Sequence, residues 1–371
     1  MNNKNFDVYF DFGSSKIRAT AFNKNKEIES YNYESEFLFD HSNLENEIET
    51  IISNLEKDTN EYLDDINIMI DSHELLSIGL SLSKNFDGTK IKKEDIKFLI
   101  QDAKQQVLRN YKYQNIIHII INNYKIDNID YTFLPSDVKC NEFSIDIIFI
   151  CLPKKNIENI KKIFSKFNVS INNVFCSSYS KSISYKNNFI SSDNILMIDM
   201  GFNKTSIIYY KQNKISFFYI LPIGGHHITK DISKILKINL IDAEKIKLTF
   251  DVDENTLIEK KLSLGLITKI IFARVEEILE LSIKYLEASG NFDKSDQFKI
   301  ILMGEGSKIL NNKFREKISF KREINLLEEN IESICESALK LNEGQNKQEV
   351  VIVPKTQIKK GFFEKLFHFF K

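Results

Sequence analysis

The chain opens with an apolar strand pattern that returns in its second half. Residues 6–12 read FDVYFDF, and a polar turn leads from them into a second strand pattern over 16–22. Residues 195–201 read ILMIDMG, and two more apolar runs, TSIIYY and ISFFYI, follow. In both places an apolar strand ends in Asp-x-Gly and a polar turn joins it to another strand. This pattern predicts two hairpins that belong to an internal duplication.

The remaining periodicities predict an α/β protein. Apolar residues at helical spacing predict helices at 43–63, 92–111, 156–167, 266–286 and 330–341. Apolar runs and alternating patterns predict further strands at 66–70, 75–82, 116–122, 124–127, 143–152, 171–175 and 297–303. The stretch 77–152 therefore has a helix and strands of its own, which is typical of a small inserted αβ unit.

Composition excludes several classes of function. The chain has 371 residues, which is enough for two or three domains. Lys and Arg number 51 and Asp and Glu number 52, so no basic field suggests a nucleic-acid partner. The N-terminus has no signal-peptide pattern, and no apolar run approaches the roughly 20 residues of a membrane-spanning helix. We expect a cytoplasmic protein.

Three glycine-containing turns are candidates for phosphate binding. They are a first turn at 11–16, a second turn at 199–204 and a third turn at 303–307. Backbone N–H groups of such turns hold phosphates, and glycine lets the backbone approach a ligand closely. An aspartate at the strand end is suited to orient a metal-bound water. Two equivalent turns in a duplicated unit predict a clamp for one nucleotide.

These motifs, in this order, resemble the FtsA family of bacterial cell-division proteins in the actin/Hsp70/sugar-kinase superfamily. The matching segments are FDFGSSKI, LMIDMG, LPIGGHHITKDISKIL, IDAEKIK, ARVEEILEL and ILMGEGS. The inserted unit falls where FtsA has its distinctive subdomain. The resemblance implies an α/β, actin-like duplicated fold with two lobes around a nucleotide cleft, a small αβ insert and a C-terminal amphipathic helix.

The resemblance also implies a division of the chain. A first actin-like subdomain comprises residues 1–76 and 153–193, and the inserted subdomain for self-interaction comprises 77–152. A second actin-like subdomain comprises 194–230 and 291–342, with a helical subdomain for a partner peptide at 231–290. A linker follows at 343–358, and an amphipathic membrane helix at 359–371.

ATP and Mg²⁺ are the cofactors that the resemblance implies, with Asp11 and Asp199 as the metal-facing carboxylates. The implied nucleotide-binding residues are Asp11, Gly13, Ser14, Ser15, Lys16, Asp199, Gly201, Lys204, Thr205, Gly224, Gly225, Glu244, Lys247, Gly304, Gly306 and Ser307. The second turn departs from the family pattern Asp-x-Gly-Gly-Gly-Thr, because Phe202 and Asn203 replace glycines, and Glu305 replaces a glycine of the third turn. We expect weak or absent hydrolysis, and we assign no catalytic residue.

The last thirteen residues, KKGFFEKLFHFFK, predict an amphipathic helix. Its apolar face contains Phe362, Phe363, Leu366, Phe367, Phe369 and Phe370. Its polar face has a basic balance, which is typical of a helix that lies on an anionic lipid surface. The alternative is that the helix docks on the protein's own core. The polar stretch before it and its five phenylalanines favour membrane binding.

The resemblance implies that the chain binds the C-terminal peptide of the tubulin-like division protein FtsZ. Arg274 matches an arginine of the family, and Lys269 lies near it on the same predicted helix. The alternative is an ordinary solvated helix face on which Arg274 pairs with Glu276 or Glu277. Head-to-tail self-association into filaments and binding to other division proteins are further implied partners.

The resemblance, together with the amphipathic tail, therefore implies an actin-like adaptor that tethers FtsZ filaments to the inner face of the cytoplasmic membrane at the division site. Two alternatives remain open: an ATP-dependent kinase or ATPase of the same superfold, and a pilus-assembly actin homologue. The altered second turn and the phenylalanine-rich tail count against a kinase, and such a tail is unexpected in the pilus protein.

Overall fold

The computed structural model describes residues 5–24, 30–37, 43–131, 133–135, 138–189, 194–249, 263–290, 297–310, 323–344 and 349–350. The predicted amphipathic helix at 359–371 and most of the predicted linker lie outside the described residues.

The described strands and helices follow the predicted patterns closely. The strands are β1 (Phe6–Phe12), β2 (Lys16–Asn23), β3 (Tyr31–Glu36), β4 (Asp65–Ile70), β5 (Leu76–Lys90), β6 (Gln114–Ile126), β7 (Ile129–Tyr131), β8 (Lys139–Pro153), β9 (Ser170–Cys176), β10 (Asn194–Met200), β11 (Thr205–Lys211), β12 (Lys214–Leu221), β13 (Lys299–Met303) and β14 (Ile324–Leu326). The helices are α1 (Leu44–Thr59), α2 (Lys93–Asn110), α3 (Lys154–Lys166), α4 (Ser177–Lys186), α5 (Gly225–Leu236), α6 (Leu240–Thr249), α7 (Leu264–Ala288) and α8 (Ile331–Asn342).

Two five-stranded sheets of identical topology confirm the internal duplication. The first has the order β3-β2-β1-β4-β9 and the second the order β12-β11-β10-β13-β14. In each sheet, three consecutive strands form an antiparallel meander. The first of these strands also pairs with a parallel strand, which in turn pairs with a second parallel strand. The first and second turns therefore occupy equivalent places, at the tip of the hairpin that opens each sheet.

The inserted unit (76–153) is a separate four-stranded sheet of order β5-β8-β6-β7, with α2 against it. Its own core contains the fully buried Phe143 and Phe149. The other face of the sheet places Ile120, Ile148 and Ile150 in the large core that the first sheet shares with residues of the second sheet, such as Met197 and Ile301. Alternation along β6 and β8 thus joins the unit firmly to the rest of the molecule.

Helices complete two lobes. The second lobe has α5, α6 and α7 on the outer face of its sheet, with the apolar residues of these helices buried there. The first lobe contains α1, α3, α4 and also α8. Ile334 and Ala338 of α8 lie in the first core, and Asn342 donates a hydrogen bond to the Tyr9 hydroxyl at 3.2 Å. The predicted division, which placed 291–342 wholly in the second lobe, differs here, because the apolar face of α8 packs on β1, β2 and α4.

Four elements escaped the sequence patterns: β3, β7, β14 and α4. Helix α4 reads SSYSKSISYK, and every residue except Lys186 is buried. A helix that is buried on nearly all sides shows no amphipathic period, so periodicity cannot find it. The strands predicted at 116–122 and 124–127 form one strand, β6. No helix among the described residues is both long and apolar enough to cross a bilayer.

Candidate functional site: the cleft between the two lobes

The first turn is the tight tip of a hairpin, and the Lys16 ammonium in it forms ion pairs within the protein. The Gly13 N–H donates to the Lys16 carbonyl at 3.0 Å, and the Ser15 carbonyl accepts from Phe37. Ser14 and Ser15 line the cleft beside them. The Lys16 ammonium pairs with Glu34 and Glu36 of the neighbouring strand at 3.1 and 2.5 Å. The lysine side chain is thus held by carboxylates of its own lobe.

Asp11 is the last residue but one of β1 and is almost completely buried. Its carboxylate contacts the Arg18 guanidinium at 3.1 Å and accepts a hydrogen bond from the Ser177 hydroxyl at 2.7 Å. Burial lowers the pKa of Arg18, and Asp11, Glu305 and Glu34 outweigh that effect and raise it. Neither Arg18 nor Ser177 was among the predicted site residues. Arg18 carried a usable signal, since it is a charge inside an apolar strand.

Asp199 occupies the equivalent place in the second lobe. The Lys181 ammonium lies 2.9 Å from its carboxylate and 3.2 Å from that of Glu329. Burial opposes the charge of Lys181, and the two carboxylates outweigh it, so its pKa lies well above the usual value. Glu329 also accepts the Gly304 N–H at 2.7 Å. The sequence reasoning missed Lys181 and Glu329, because α4 and the loop before α8 showed no motif.

Lys204, predicted to contact a phosphate, is instead buried against a carboxylate of the first lobe. Its side chain is 1% exposed, and its ammonium lies 2.7 Å from Asp71. It also donates a hydrogen bond to the Ser206 hydroxyl. Burial raises the pKa of Asp71 despite the nearby lysine. The Thr205 hydroxyl donates to the Ile223 carbonyl at 2.7 Å and is not directed at the cleft.

The N-terminus of α5 is bonded to the second turn itself. The Gly225 N–H donates to the Gly201 carbonyl at 2.9 Å, and the His226 N–H donates to the Phe202 carbonyl at 2.7 Å. A Cβ atom on Gly224 would lie 2.6 Å from the Gly201 oxygen. Gly224 therefore permits backbone-to-backbone packing, and two N–H groups of the helix end are used within the protein.

The third turn packs on the second with the same closeness. Gly304 has a φ of 92°, and Cβ atoms on Gly304 and Gly306 would lie 2.6 and 2.8 Å from the Met200 oxygen. The Ser307 hydroxyl donates to the Gly304 carbonyl at 2.7 Å. Glu305 projects from this turn to the first lobe, where its carboxylate lies 2.8 Å from Arg18. Burial raises the pKa of Glu305, and Lys308, Arg18 and Lys16 outweigh burial and lower it.

Glu244 and Lys247 bond to each other and to α5. Their charged groups lie 2.7 Å apart, and the Lys247 ammonium also donates to the Gly225 carbonyl at 3.2 Å. Burial lowers the pKa of Lys247. The Phe202 ring lies 5.6 Å from that ammonium and stacks on the His226 ring at 5.0 Å. Burial, followed by the charges of Lys230 and His227, lowers the pKa of His226 to about 4.

Comparison with known proteins agrees with the family resemblance. Residues 196–346 match the model of a family described as cell division protein FtsA. The FtsA of Agrobacterium fabrum is 21% identical over 265 residues, which cover 67% of this chain and 59% of the relative. The FtsA of Borreliella burgdorferi is 23% identical over 281 residues, which cover 66% of this chain and 67% of the relative. This chain is a homologue of FtsA.

One solved structure supports the fold of this FtsA homologue. The PilM-PilN type IV pilus biogenesis complex matches with a TM-score of 0.62 at 10% identity, over 88% of this chain and 89% of that one. MreB5 of Spiroplasma citri bound to ADP matches with a TM-score of 0.49 at 12% identity, over 91% and 98% of the two chains. Together with the duplicated sheets, the first match confirms the predicted actin-like fold.

Mg²⁺–ATP does not fit the cleft of this FtsA homologue as it is arranged. The cavity that the turns enclose has a volume of about 50 Å³, whereas small-molecule sites typically have about 300 Å³ or more. Asp11 and Asp199, the carboxylates predicted to face a metal, each contact a cationic side chain of the protein. Within the described ranges, no three His, Cys, Asp or Glu side chains form a metal-binding group.

A second cavity, of about 380 Å³, lies on the other side of Arg18. Its lining includes the acidic residues Glu34, Glu305, Glu329 and Glu332 and the basic residues Arg18 and Lys308, so the lining is acidic on balance. This acidic lining opposes the binding of phosphate groups. The larger cavity is therefore no better suited to bind the triphosphate of ATP.

The predicted partner residues lie on α7. The Arg274 guanidinium makes two bonds to Asp231 of α5, at 2.7 and 3.0 Å, and a third contact to Glu277 at 2.5 Å. The alternative pairing with Glu277 is thus observed, and Asp231 is an additional partner. Lys269 is exposed on the same helix. The arginine is held rigidly by acidic side chains on the surface of the helical subdomain.

Proposed function

We propose that this FtsA homologue is an actin-like adaptor of cell division that tethers FtsZ filaments to the inner face of the cytoplasmic membrane. The observation that carries the proposal is the FtsA match over 196–346, which includes the second turn, the third turn and all helices of the second lobe. The chain spans 59% of the length of the Agrobacterium relative, so the partners of whole FtsA are proposals for this chain.

The FtsZ peptide would bind beside Arg274. The Arg274 side chain is 23% exposed and its guanidinium already contacts two carboxylates, so an acidic peptide side chain would replace one of them. Exposed apolar side chains occur on α5, α6 and α7: Ile235, Leu240, Ile241, Leu248, Leu264 and Leu266. A peptide that contains an acidic residue and several apolar residues would match this surface. Exposed apolar patches are typical of interaction sites.

Membrane attachment would come from residues 359–371, on the strength of their sequence pattern. One short amphipathic helix binds a membrane weakly and reversibly. Head-to-tail assembly, with the inserted unit as one contact surface, would array many such helices on one filament. The array would bind strongly through effective concentration.

ATP and Mg²⁺ are left out of this proposed function. The resemblance implies them, but the cation–carboxylate contacts and the small cavity leave them no place in the closed cleft. In the proposal, the two lobes are joined by the protein's own ion pairs.

Sedimentation with anionic vesicles tests the tether. We expect the full-length chain to pellet with the vesicles and the double variant Phe363→Glu/Phe367→Glu to stay in the supernatant. Tyr62→Glu is the control, because Tyr62 is 84% exposed in the first lobe, outside the inserted unit and the tail, and should not affect binding. If the double variant still pellets like the unmodified chain, the tail is not the membrane anchor.

A further inference from the structure

The chain returns to the inserted unit after α8, at a point that no predicted site included. Strand β7 covers β6 only at Tyr124–Ile126, so the earlier part of that edge of β6 has no strand of the unit beside it. Glu349 forms an antiparallel bridge with Ile120 there, and the Val350 N–H donates to the Ile119 carbonyl at 2.8 Å. Within the described part of the chain, Glu349 and Val350 are the residues that pair with this part of the β6 edge.

The Glu349 carboxylate ends in a buried polar pocket between the inserted unit and the first lobe. It lies 2.5 Å from Nδ1 of His118, and the Tyr179 hydroxyl donates to it at 3.1 Å. His118 is 1% exposed and Tyr179 is fully buried. Each carboxylate oxygen thus meets one donor from a different part of the fold.

A third bond determines which nitrogen of His118 carries the hydrogen. The Cys176 N–H donates to Nε2 at 2.9 Å, so Nε2 is the acceptor of the ring. The neutral imidazole then carries its hydrogen on Nδ1 and donates it to Glu349. A glutamine in place of Glu349 would present at most one acceptor oxygen to two buried donors.

Alternation along the docked segment matches the two cores below it. Glu349 points to the side of Ile120, which belongs to the core of the first lobe, whereas Val350 packs on the core of the inserted unit. Successive residues of a strand face opposite sides, so a Glu-Val pair in extended conformation satisfies both sides at once.

We propose that the β6 edge, with His118 and Tyr179, is a docking site for an extended segment with a glutamate, and that residues 349–350 of the same chain are its occupant. The site fixes the position of Val350, from which the chain continues in sequence towards the predicted membrane helix. The consequence for membrane attachment rests on the proposed function, whereas the docking itself does not.

A peptide-binding assay tests this docking without lipid or FtsZ. The probe is a fluorescent peptide of residues 345–354, QNKQEVVIVP, titrated with full-length protein. Because the tethered segment competes at high effective concentration, we expect Glu349→Ala to bind the peptide at least about ten-fold more tightly than the unmodified chain does. Glu343→Ala, an exposed neighbour, should behave like the unmodified chain.

A second peptide, with Gln at the position of Glu349, leaves the protein unchanged and tests the role of the carboxylate. We expect it to bind Glu349→Ala at least about ten-fold more weakly than the natural peptide, because two buried donors would share one acceptor. Equal binding of the two peptides would overturn the proposal. So would equal binding of the natural peptide to the unmodified chain and to Glu349→Ala, because the site would then not be occupied in cis.

Discussion

Arg18 of the first lobe and Glu305 of the second form an ion pair across the cleft, with 2.8 Å between Nη2 and Oε1. A second pair has the reverse direction: Lys204, before β11, contacts Asp71, after β4, at 2.7 Å. In the duplicated topology β11 corresponds to β2, and β4 corresponds to β13. Each lobe thus supplies one cation near its hairpin and one carboxylate after its first parallel strand. The two ion pairs thus join the lobes through equivalent positions of the duplicated fold, with the cation and the carboxylate interchanged between the lobes.

Loss of the Arg18 guanidinium should destabilise the whole molecule. Arg18→Ala leaves the buried Asp11 without its cationic partner, and such a loss costs about 3 kcal/mol of unfolding free energy. Glu305→Gln removes a partly exposed partner and should cost only about 1 kcal/mol. Urea unfolding of the two variants measures both values.

Lys24→Ala is the matched control for Arg18→Ala, because Lys24 pairs with Asp7 at an exposed place close to the same strand. Its cost should be below about 1 kcal/mol. Equal costs for Arg18→Ala and Lys24→Ala would contradict the role given to the cleft contacts.

ATP should not stabilise the protein measurably. A ligand present at one hundred times its dissociation constant would add about 2.7 kcal/mol to the unfolding free energy. We expect thermal unfolding with millimolar Mg²⁺–ATP to match unfolding with Mg²⁺ alone, because the third turn and the cation pairs fill the cleft. A clear rise in the melting temperature would mean that the lobes open and that the Arg18–Glu305 contact breaks to admit the nucleotide.

Gly224→Ala should be poorly tolerated although glycine has no unusual dihedral angle there. The added Cβ would lie 2.6–2.8 Å from three backbone atoms of the second turn. Overpacking of this kind typically costs about 1–3 kcal/mol. Gly79→Ala is the control, since nothing lies within 4 Å of its Cβ. Denaturant unfolding should separate the two, and similar stabilities would show that the α5 N-terminus is not held as described.

Acid should weaken the protein partly through His226. Burial lowers the folded-state pKa of His226 from 6.5 to about 4. The unfolded chain therefore takes up the proton first, and stability is complete above pH 6.5 and falls as the pH decreases towards 4. His226→Gln should make this fall shallower in a series of urea unfolding curves across that range. An unchanged pH profile would exclude a contribution from this histidine.

Arg274→Glu should abolish binding of an FtsZ C-terminal peptide if the guanidinium contacts it. The variant also loses the pair with Asp231, so a change in folding must be separated from a change in recognition. The exchange variant Arg274→Glu/Asp231→Arg restores the internal pair with reversed polarity. Fluorescence titration should show loss of binding in the single variant and at most partial recovery in the exchange variant. Unchanged affinity in the single variant would place the peptide elsewhere.

The sequence by itself determined the duplicated hairpins, the inserted unit and the order of the three turns. Those features depend on local periodicity and on glycine and aspartate at strand ends, which single-sequence patterns record. In the structure, Asp11, Gly13, Asp199, Gly304 and Glu305 lie at the cleft.

Only the tertiary structure decided which charges meet. Helix α4 is buried on nearly all sides and has no period, so Ser177 and Lys181 could not be placed beside the two aspartates. Asp71, Glu329 and Glu349 reach their partners across 133, 148 and 231 positions of the chain. Such contacts depend on how the two sheets and the inserted unit pack. No local pattern contains that information, because it arises only when distant segments share one core.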